Sequence, residues 1–231
     1  MEQTASRVLI VDDEPDIRTI VRILLSADGY DVLEAANGRQ ALEQLQNHTA
    51  VDLVLLDIMM PEMDGVTACQ EIRKYSMAPI LFLTAKSQES DKLQAYYSGG
   101  DDFLTKPFSK AELLMKVKSL LRRYQVYRGK HELEAYTKAG VVSLDGRSVY
   151  KDGQTIEVTE TEAEIIRYLL EHRGQPVSVE NIYEDVWHEK YMPSSTNTVM
   201  VHILNLRKKL ELDPANPTLI RTVWGKGYQI D

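Results

Sequence analysis

Residues 51–57 read VDLVLLD, a run that is apolar at nearly every position and closes on Asp57. A strand that shows one face to water alternates apolar and polar residues. One this uniformly apolar has to be covered on both faces, as at the centre of a parallel sheet. Similar short runs occur at VLIV (8–11), DVLEA (31–35), PILFLT (79–84) and DFLT (102–105). Helical patterns lie between them, clearest where Ile17, Ile20, Val21, Leu24 and Leu25 recur at three- and four-residue spacing. Five strands, each followed by a helix, predict a doubly wound parallel α/β sheet over residues 1–123.

In such a sheet ligands collect outside the carboxyl ends of the strands. Those ends carry Asp12 and Asp13 (first strand), Asp57 (third), Thr84 (fourth) and Lys106-Pro107 (fifth). Each aspartate taken singly is explained by helix capping, but the joint set is not. Three carboxylates converging on one rim repel each other unless a divalent cation joins them. Magnesium suits them, as a hard cation that takes oxygen ligands and keeps several waters. A carboxylate can also attack phosphorus as a nucleophile. Mg²⁺, a lysine ammonium and a hydroxyl donor would then neutralise the equatorial phosphoryl oxygens.

The segments VLIVDDE (8–14), LLDIMMPEMDG (55–65), LTAK (83–86) and GGDDFLTKPF (99–108) resemble the receiver domain of two-component response regulators, a flavodoxin-like fold. The resemblance implies that Asp57 accepts a phosphoryl group from a sensor histidine kinase. It implies Mg²⁺ ligation by the side chains of Asp13 and Asp57, by Asp12 through water, and by the backbone carbonyl of Met59. Lys106 would contact the phosphoryl group through a loop whose Lys106–Pro107 bond is cis. Thr84 would turn inward, followed by the switch aromatic Phe103, where many relatives have Tyr. Pairs at Lys92–Glu112 and Asp102–Lys116 would join two receivers symmetrically through the fourth helix, fifth strand and fifth helix, giving a phosphorylation-favoured homodimer.

Residues 124–137, YQVYRGKHELEAYT, mix charge and tyrosine without a clean period and read as a linker. From residue 138 the texture is α+β. Short strands are separated by Asp-Gly pairs at 145–146 and 152–153, the chemistry of antiparallel hairpins. Helical patterns follow at about 160–172, 178–187 and 196–210, and a Gly-interrupted hairpin spans 219–230. NTVMVHILNLRKKLE (197–211) followed by LIRTVWGKGYQI (219–230) resembles the winged helix-turn-helix of OmpR/PhoB-class regulators. The wing, the helix start and RRYQVYRG (122–129) are most similar to regulators of the vancomycin-resistance kind.

At 100° per residue Val199, Ile203, Leu206 and Leu210 share one side of the 197–211 helix and are expected in the core. The opposite side presents Asn197, Val201, Leu204, Asn205 and Lys208. Apolar groups there suit thymine methyls, and Asn205 could pair with adenine. Thr198, His202, Arg207 and Lys208 nearer the flanks suit phosphate contacts, and Thr222 and Lys226 of the wing are expected to bind DNA. Leu204, Asn205 and Trp224 stand where arginine is common in the resembling class, so tandem half-sites leaning to A·T are expected. Trp224 either packs on the domain core or touches DNA. The acidic stretch 179–196 (Glu180, Glu184, Asp185, Glu189) is either a solvated loop or, as in the resembling class, a contact for RNA polymerase.

The chain has 231 residues, one cysteine (Cys69) and a net charge of −8, which excludes a disulfide framework and bulk electrostatic coating of nucleic acid or membrane. The first apolar run is too short for a signal peptide and no 18-residue apolar stretch occurs, so a cytoplasmic protein with no membrane partner is expected. Residues 198–231 carry five basic side chains (Arg207, Lys208, Lys209, Arg221, Lys226) against three acidic (Glu211, Asp213, Asp231), which confines the basic footprint to one helix and the wing. Two rivals stand beside a phosphorylated transcription factor. One is an aspartate-nucleophile phosphatase, which would carry a second Asp at the position of Met59. The other is a DNA-binding regulator governed by a ligand or by redox chemistry at Cys69.

Overall fold

The computed structural model describes residues 5–47, 50–85, 98–127, 133–137, 140–145, 147–193 and 195–231. The chain divides into two units, Met1–Tyr124 and Gln125–Asp231. In the first, β1 (Arg7–Val11), β2 (Asp31–Ala35), β3 (Leu53–Asp57), β4 (Ile80–Thr84) and β5 (Asp102–Thr105) pair in parallel in the order β2-β1-β3-β4-β5. Among the described residues its helices are α1 (Pro15–Ser26), α2 (Gly38–Gln46), α3 (Gly65–Ile72) and α4 (Lys110–Tyr127). Alternate residues of one strand feed opposite faces of the sheet. Leu9, Val11, Val54, Leu56, Ile80 and Phe82 pack with Ala41, Ala68, Cys69 and Ile72. Val8, Ile10, Leu53, Leu55, Leu81 and Leu83 pack with Val21, Leu25, Leu113, Val117 and Leu120. Every residue of β3 and β4 is buried, as a doubly covered centre requires. On α1 the burial falls on Val21 and Leu25, while Ile20, expected on the inner stripe, is exposed.

Two points hold the crossing from α3 to the sheet. Asp64 caps α3 by accepting from the Thr67 amide. Gly65 lies so close to the end of β3 that a Cβ there would stand 2.0 Å from the Asp57 carbonyl oxygen. Beyond α3, Arg73 donates to the carbonyls of Gly99, Ser76 and Ala78 and pairs at 2.7 Å with the fully buried Asp101. The Asp101 carboxylate also accepts from the Ile80 amide, which fastens the start of β4 to the approach to β5.

The second unit opens with an antiparallel meander, β6 (Leu133–Thr137), β7 (Gly140–Asp145), β8 (Ser148–Lys151) and β9 (Gln154–Glu157). Asp152 and Gly153 both have positive φ (51° and 80°), the backbone that a tight two-residue hairpin needs between β8 and β9. The expected linker 124–137 is thus partly regular: α4 runs to Tyr127, and Leu133–Thr137 is a strand. Its strand state comes from pairing with β7, a long-range term that the segment's own pattern does not display.

Three helices follow, α5 (Glu160–Glu171), α6 (Val179–Trp187) and α7 (Ser195–Leu210), then the hairpin β10 (Arg221–Val223) and β11 (Gly227–Gln229). Thr159 and Glu162 form a reciprocal capping box at the start of α5. Glu180, Glu184 and Asp185 lie on helix α6, so only Glu189 of the acidic stretch belongs to the loop before α7. Val142, Ile166, Leu169, Ile182, Trp187, Val199, Ile203, Leu206, Leu210 and Ile220 form the core.

Removing Arg73 takes the guanidinium counter-charge from the fully buried Asp101 carboxylate, so Arg73→Met should cost about 3–5 kcal/mol in chemical denaturation. Lys74→Met, which breaks the surface pair with Glu71, should cost less than about 1 kcal/mol.

Candidate functional site

Parallel pairing brings the carboxyl ends of β1, β3, β4 and β5 to one rim. Asp12 follows β1 and is fully buried, Asp57 closes β3 and is nearly so, and Asp13 is half-buried. Ligand oxygens from these three carboxylates lie within 4.8 Å of one another. Lys106, just past β5, reaches back to them. Its ammonium donates to Asp12 Oδ2 at 2.7 Å and Asp57 Oδ2 at 3.2 Å, and stands 3.8 Å from Glu14 Oε1. The Lys106 amide bonds to the Thr84 carbonyl at 2.7 Å, and the Lys106–Pro107 bond is cis, as the sequence resemblance implied.

The remaining oxygens are held from behind. Asp57 Oδ1 accepts from the Ile58 amide at 2.8 Å, Asp12 Oδ1 accepts from the Glu14 amide at 2.9 Å, and Arg18 donates to the Asp12 carbonyl at 2.7 Å. Thr84 is fully buried at the end of β4, beside Thr105 in the sheet register. Phe103 is half-buried against the α2–α3 side of the sheet, and the Met59 side chain is exposed.

Burial raises the Asp57 carboxyl above the usual carboxylate range, with Lys106 opposing that rise and Asp12 adding to it. Burial disfavours the Lys106 ammonium, but its bond to Asp12 and the charges of Asp57 and Asp12 outweigh that and raise it above the ordinary lysine value. Three carboxylates and one ammonium leave an excess of negative charge on an oxygen-rich rim. That is the donor chemistry of a divalent hard-cation site, and the acidic cluster fits such an ion.

The expected dimer residues separate into three cases. Lys116 Nζ pairs with Asp102 Oδ2 at 2.8 Å within one chain, and both are largely buried. Glu112 accepts from the Ser109 amide at 2.7 Å, capping the start of α4. Lys92 lies outside the described residues. The segment expected to form the fourth helix is likewise outside the described residues, and the expected fifth helix is α4.

Helix α7 buries Val199, Ile203, Leu206 and Leu210, as its phase predicts. Thr198 and His202 are buried as well; α7 packs on both α5 and α6, and the His202 ring lies 5.5 Å from Trp187. Asn205 and Val201, expected on the DNA-reading side, are 8% and 3% exposed and do not offer their side chains to solvent in this structure. Asn197 and Leu204 are half-buried, Lys208 is exposed, and Met200, which was not among the expected contacts, is exposed on the same helix. Standing between Val199 and Val201, it gave no separate signal in the sequence. Thr222 and Lys226 are exposed, and Trp224 at the hairpin turn is 91% exposed, which removes the alternative that it packs on its own core. Arg207 does not point outward as a phosphate contact: its Nε and Nη2 donate to the Ile220 carbonyl at 2.9 and 2.7 Å.

Residues 8–118 match the response regulator receiver domain, and residues 153–230 match the domain described as transcriptional regulatory protein, C terminal. The chain is 45% identical to the uncharacterized transcriptional regulatory protein YrkP of Bacillus subtilis over 97% of this chain and 98% of that one. It is 38% identical to the regulatory protein VanR of Enterococcus faecium, over 98% and 99% respectively. A solved RitR mutant matches with a TM-score of 0.78 at 22% identity over 98% of this chain and 99% of that chain, a likeness of fold alone. The response regulator DrrB of Thermotoga maritima, described as an OmpR/PhoB homologue, matches with a TM-score of 0.50 at 28% identity over the same shares. No helix among the described residues is long and apolar enough to cross a membrane.

Because the folded site holds the Asp57 proton to higher pH than the unfolded chain does, ionised Asp57 destabilises the fold as pH rises through its folded-state value. Asp57→Asn should therefore raise stability at neutral pH by about 0.5–2 kcal/mol, with the gain shrinking in acid. Urea denaturation at several pH values measures it, and a less stable variant at neutral pH would contradict the account.

Proposed function

The chain belongs to the two-component response regulators of the OmpR/PhoB type, transcriptional regulators with a receiver and a DNA-binding domain, and on that premise we propose that phosphorylation of Asp57 by a sensor histidine kinase drives it onto DNA. One observation carries this reading: a near-buried carboxylate at the end of the central strand, clustered with Asp12 and Asp13 and bonded to Lys106.

The chemistry follows from those groups. An oxygen of the Asp57 carboxylate attacks phosphorus as the bond from phosphorus to the kinase imidazole nitrogen breaks, and the electron pair stays with the histidine. Mg²⁺, when bound, shields the developing charge on the phosphoryl oxygens; Asp13 and Asp57 would hold it by their side chains, Asp12 through water and Met59 by its carbonyl. The Lys106 ammonium exchanges part of its present bonding for a phosphoryl oxygen. The Thr84 hydroxyl takes another, and Phe103 moves into the space behind it. The protein is the acceptor in this transfer and is not a classical enzyme.

The added charge favours pairing of two receivers through β5, α4 and the segment that bears Lys92. Since Asp102 and Lys116 bond within one chain, a dimer that used them would exchange one partner for another. Asn197, Leu204 and Lys208 of α7 then meet DNA together with Trp224 and Lys226 of the wing, while contact by Thr198, Val201, His202 and Asn205 requires their uncovering. With Leu204, Asn205 and Trp224 in place of arginines, tandem half-sites rich in A·T are favoured, in the cytoplasm. The loop that carries Glu189 is offered to RNA polymerase.

Intact-mass analysis after incubation with acetyl phosphate and Mg²⁺ tests the core of this reading. The wild type should gain one phosphoryl group and Asp57→Asn none, with gel-shift affinity for promoter DNA rising only in the wild type. Labelling of Asp57→Asn to the same extent would defeat it. Selection from a random library that returned G-rich half-sites would defeat the A·T preference.

A further inference from the structure

The hairpin β10–β11 has three residues in each strand. A ribbon that short is not stable by itself, so its position depends on what grips it. Arg207 supplies one grip from the last turns of α7. Two of its guanidinium nitrogens converge on the Ile220 carbonyl at 2.9 and 2.7 Å, and Nη2 also donates to Thr222 Oγ1 at 2.9 Å. The guanidinium carbon stands 5.6 Å from the centre of the Tyr228 ring. Thr222 and Tyr228 face each other across the two strands, so one side chain reaches both.

Glu211, one residue past α7, holds the approach to the hairpin. Its carboxylate accepts from the amides of Thr218, Leu219 and Ile220 at 3.0, 2.9 and 2.9 Å and from the Thr218 hydroxyl at 3.1 Å. On the far side, Tyr228 exchanges backbone bonds with Val177 at 2.8 and 2.9 Å. There Gly227 is required: a Cβ would stand 1.9 Å from the Val177 carbonyl oxygen.

We propose that Arg207 is a positioning residue, which locks the wing to the recognition helix and so fixes where Trp224 and Lys226 stand. This rests on the reading of α7 and the wing as the DNA-binding surface, and departs from the expectation that Arg207 touches phosphate. The planar fork suits the task, because it can hold one carbonyl through two nitrogens, which a lysine ammonium cannot reproduce. An unlocked wing would have to be ordered at the moment of binding, at a cost in affinity. Trp224 is a rigid aromatic at the turn, so its contact with DNA depends most on that placement.

The test uses the full-length phosphorylated protein and a duplex recovered from a random library, titrated by fluorescence anisotropy. Arg207→Lys, Arg207→Gln, Trp224→Ala and the double variant Arg207→Gln/Trp224→Ala are compared with the wild type. If Arg207 acts through the wing, Lys and Gln each weaken binding by about tenfold. The Gln substitution then adds less than about threefold in the Trp224→Ala background, because coupled sites are not additive. Amide hydrogen exchange of unbound Arg207→Lys should be faster across residues 221–229, with α5 and α6 unchanged. An Arg207→Lys protein that binds like wild type, fully multiplicative losses when Trp224→Ala itself weakens binding, or unchanged exchange in the hairpin would each overturn the proposal. Wild-type affinity in Trp224→Ala would instead overturn the reading of the wing tip as a DNA contact, while faster hairpin exchange in Arg207→Lys would still support the lock.

Discussion

The first unit depends on a repulsion that the fold contains rather than removes. Asp12, Asp13 and Asp57 converge because β1 and β3 are parallel neighbours and end at the same level. The backbone amides of Ile58 and Glu14 each hold one carboxylate, and the ammonium of Lys106 bridges Asp12 and Asp57 and offsets part of their repulsion. Two fully buried strands supply the rigidity: a sheet covered on both faces cannot let its strand ends splay to relieve the charge. Gly65 lets α3 approach the Asp57 backbone closely enough to seal one side of the rim. The carboxyl group that burial pushes towards its neutral form is thus the one that a cation or a phosphoryl group would satisfy.

The second unit solves a different problem. Its hairpin is too short to hold itself, and its helix α7 must both complete a core and offer a surface. Arg207 and Glu211 lie where α7 ends, and they turn its C-terminus into an anchor for the wing. The core side of α7 is fixed by Val199, Ile203, Leu206 and Leu210. Burial spreads around the flank to His202 because Trp187 reaches it from α6. The faces of this helix are therefore less cleanly divided than a helical wheel suggests.

Much of this was legible in the residues. VDLVLLD had to be a doubly covered strand, and the acids and Lys106 followed from the rule that parallel sheets bind at their carboxyl ends. The Asp-Gly pair at 152–153 announced its turn through the positive φ both positions adopt. Other features were not legible. Residues 133–137 are a strand only because β7 offers hydrogen bonds to them. Ile20 fits the inner stripe of α1 by spacing but meets solvent, because the neighbouring elements close over Val21 and Leu25.

By itself the sequence determined the order of strands and helices, the rim on which the acidic groups collect, and the helix and hairpin that carry the basic residues. Those outcomes follow from local periodicity and from the terminus at which a residue sits. Only the tertiary structure decided how polar side chains spend their bonds. Lys116 and Asp102, expected to reach across to a second copy, bond within one chain. Arg207, expected to face phosphate, bonds to the wing. Trp224, which the sequence left between core and surface, stands in solvent. A charged or aromatic side chain can serve several partners at similar cost, and the backbone of distant residues decides which of them is within reach.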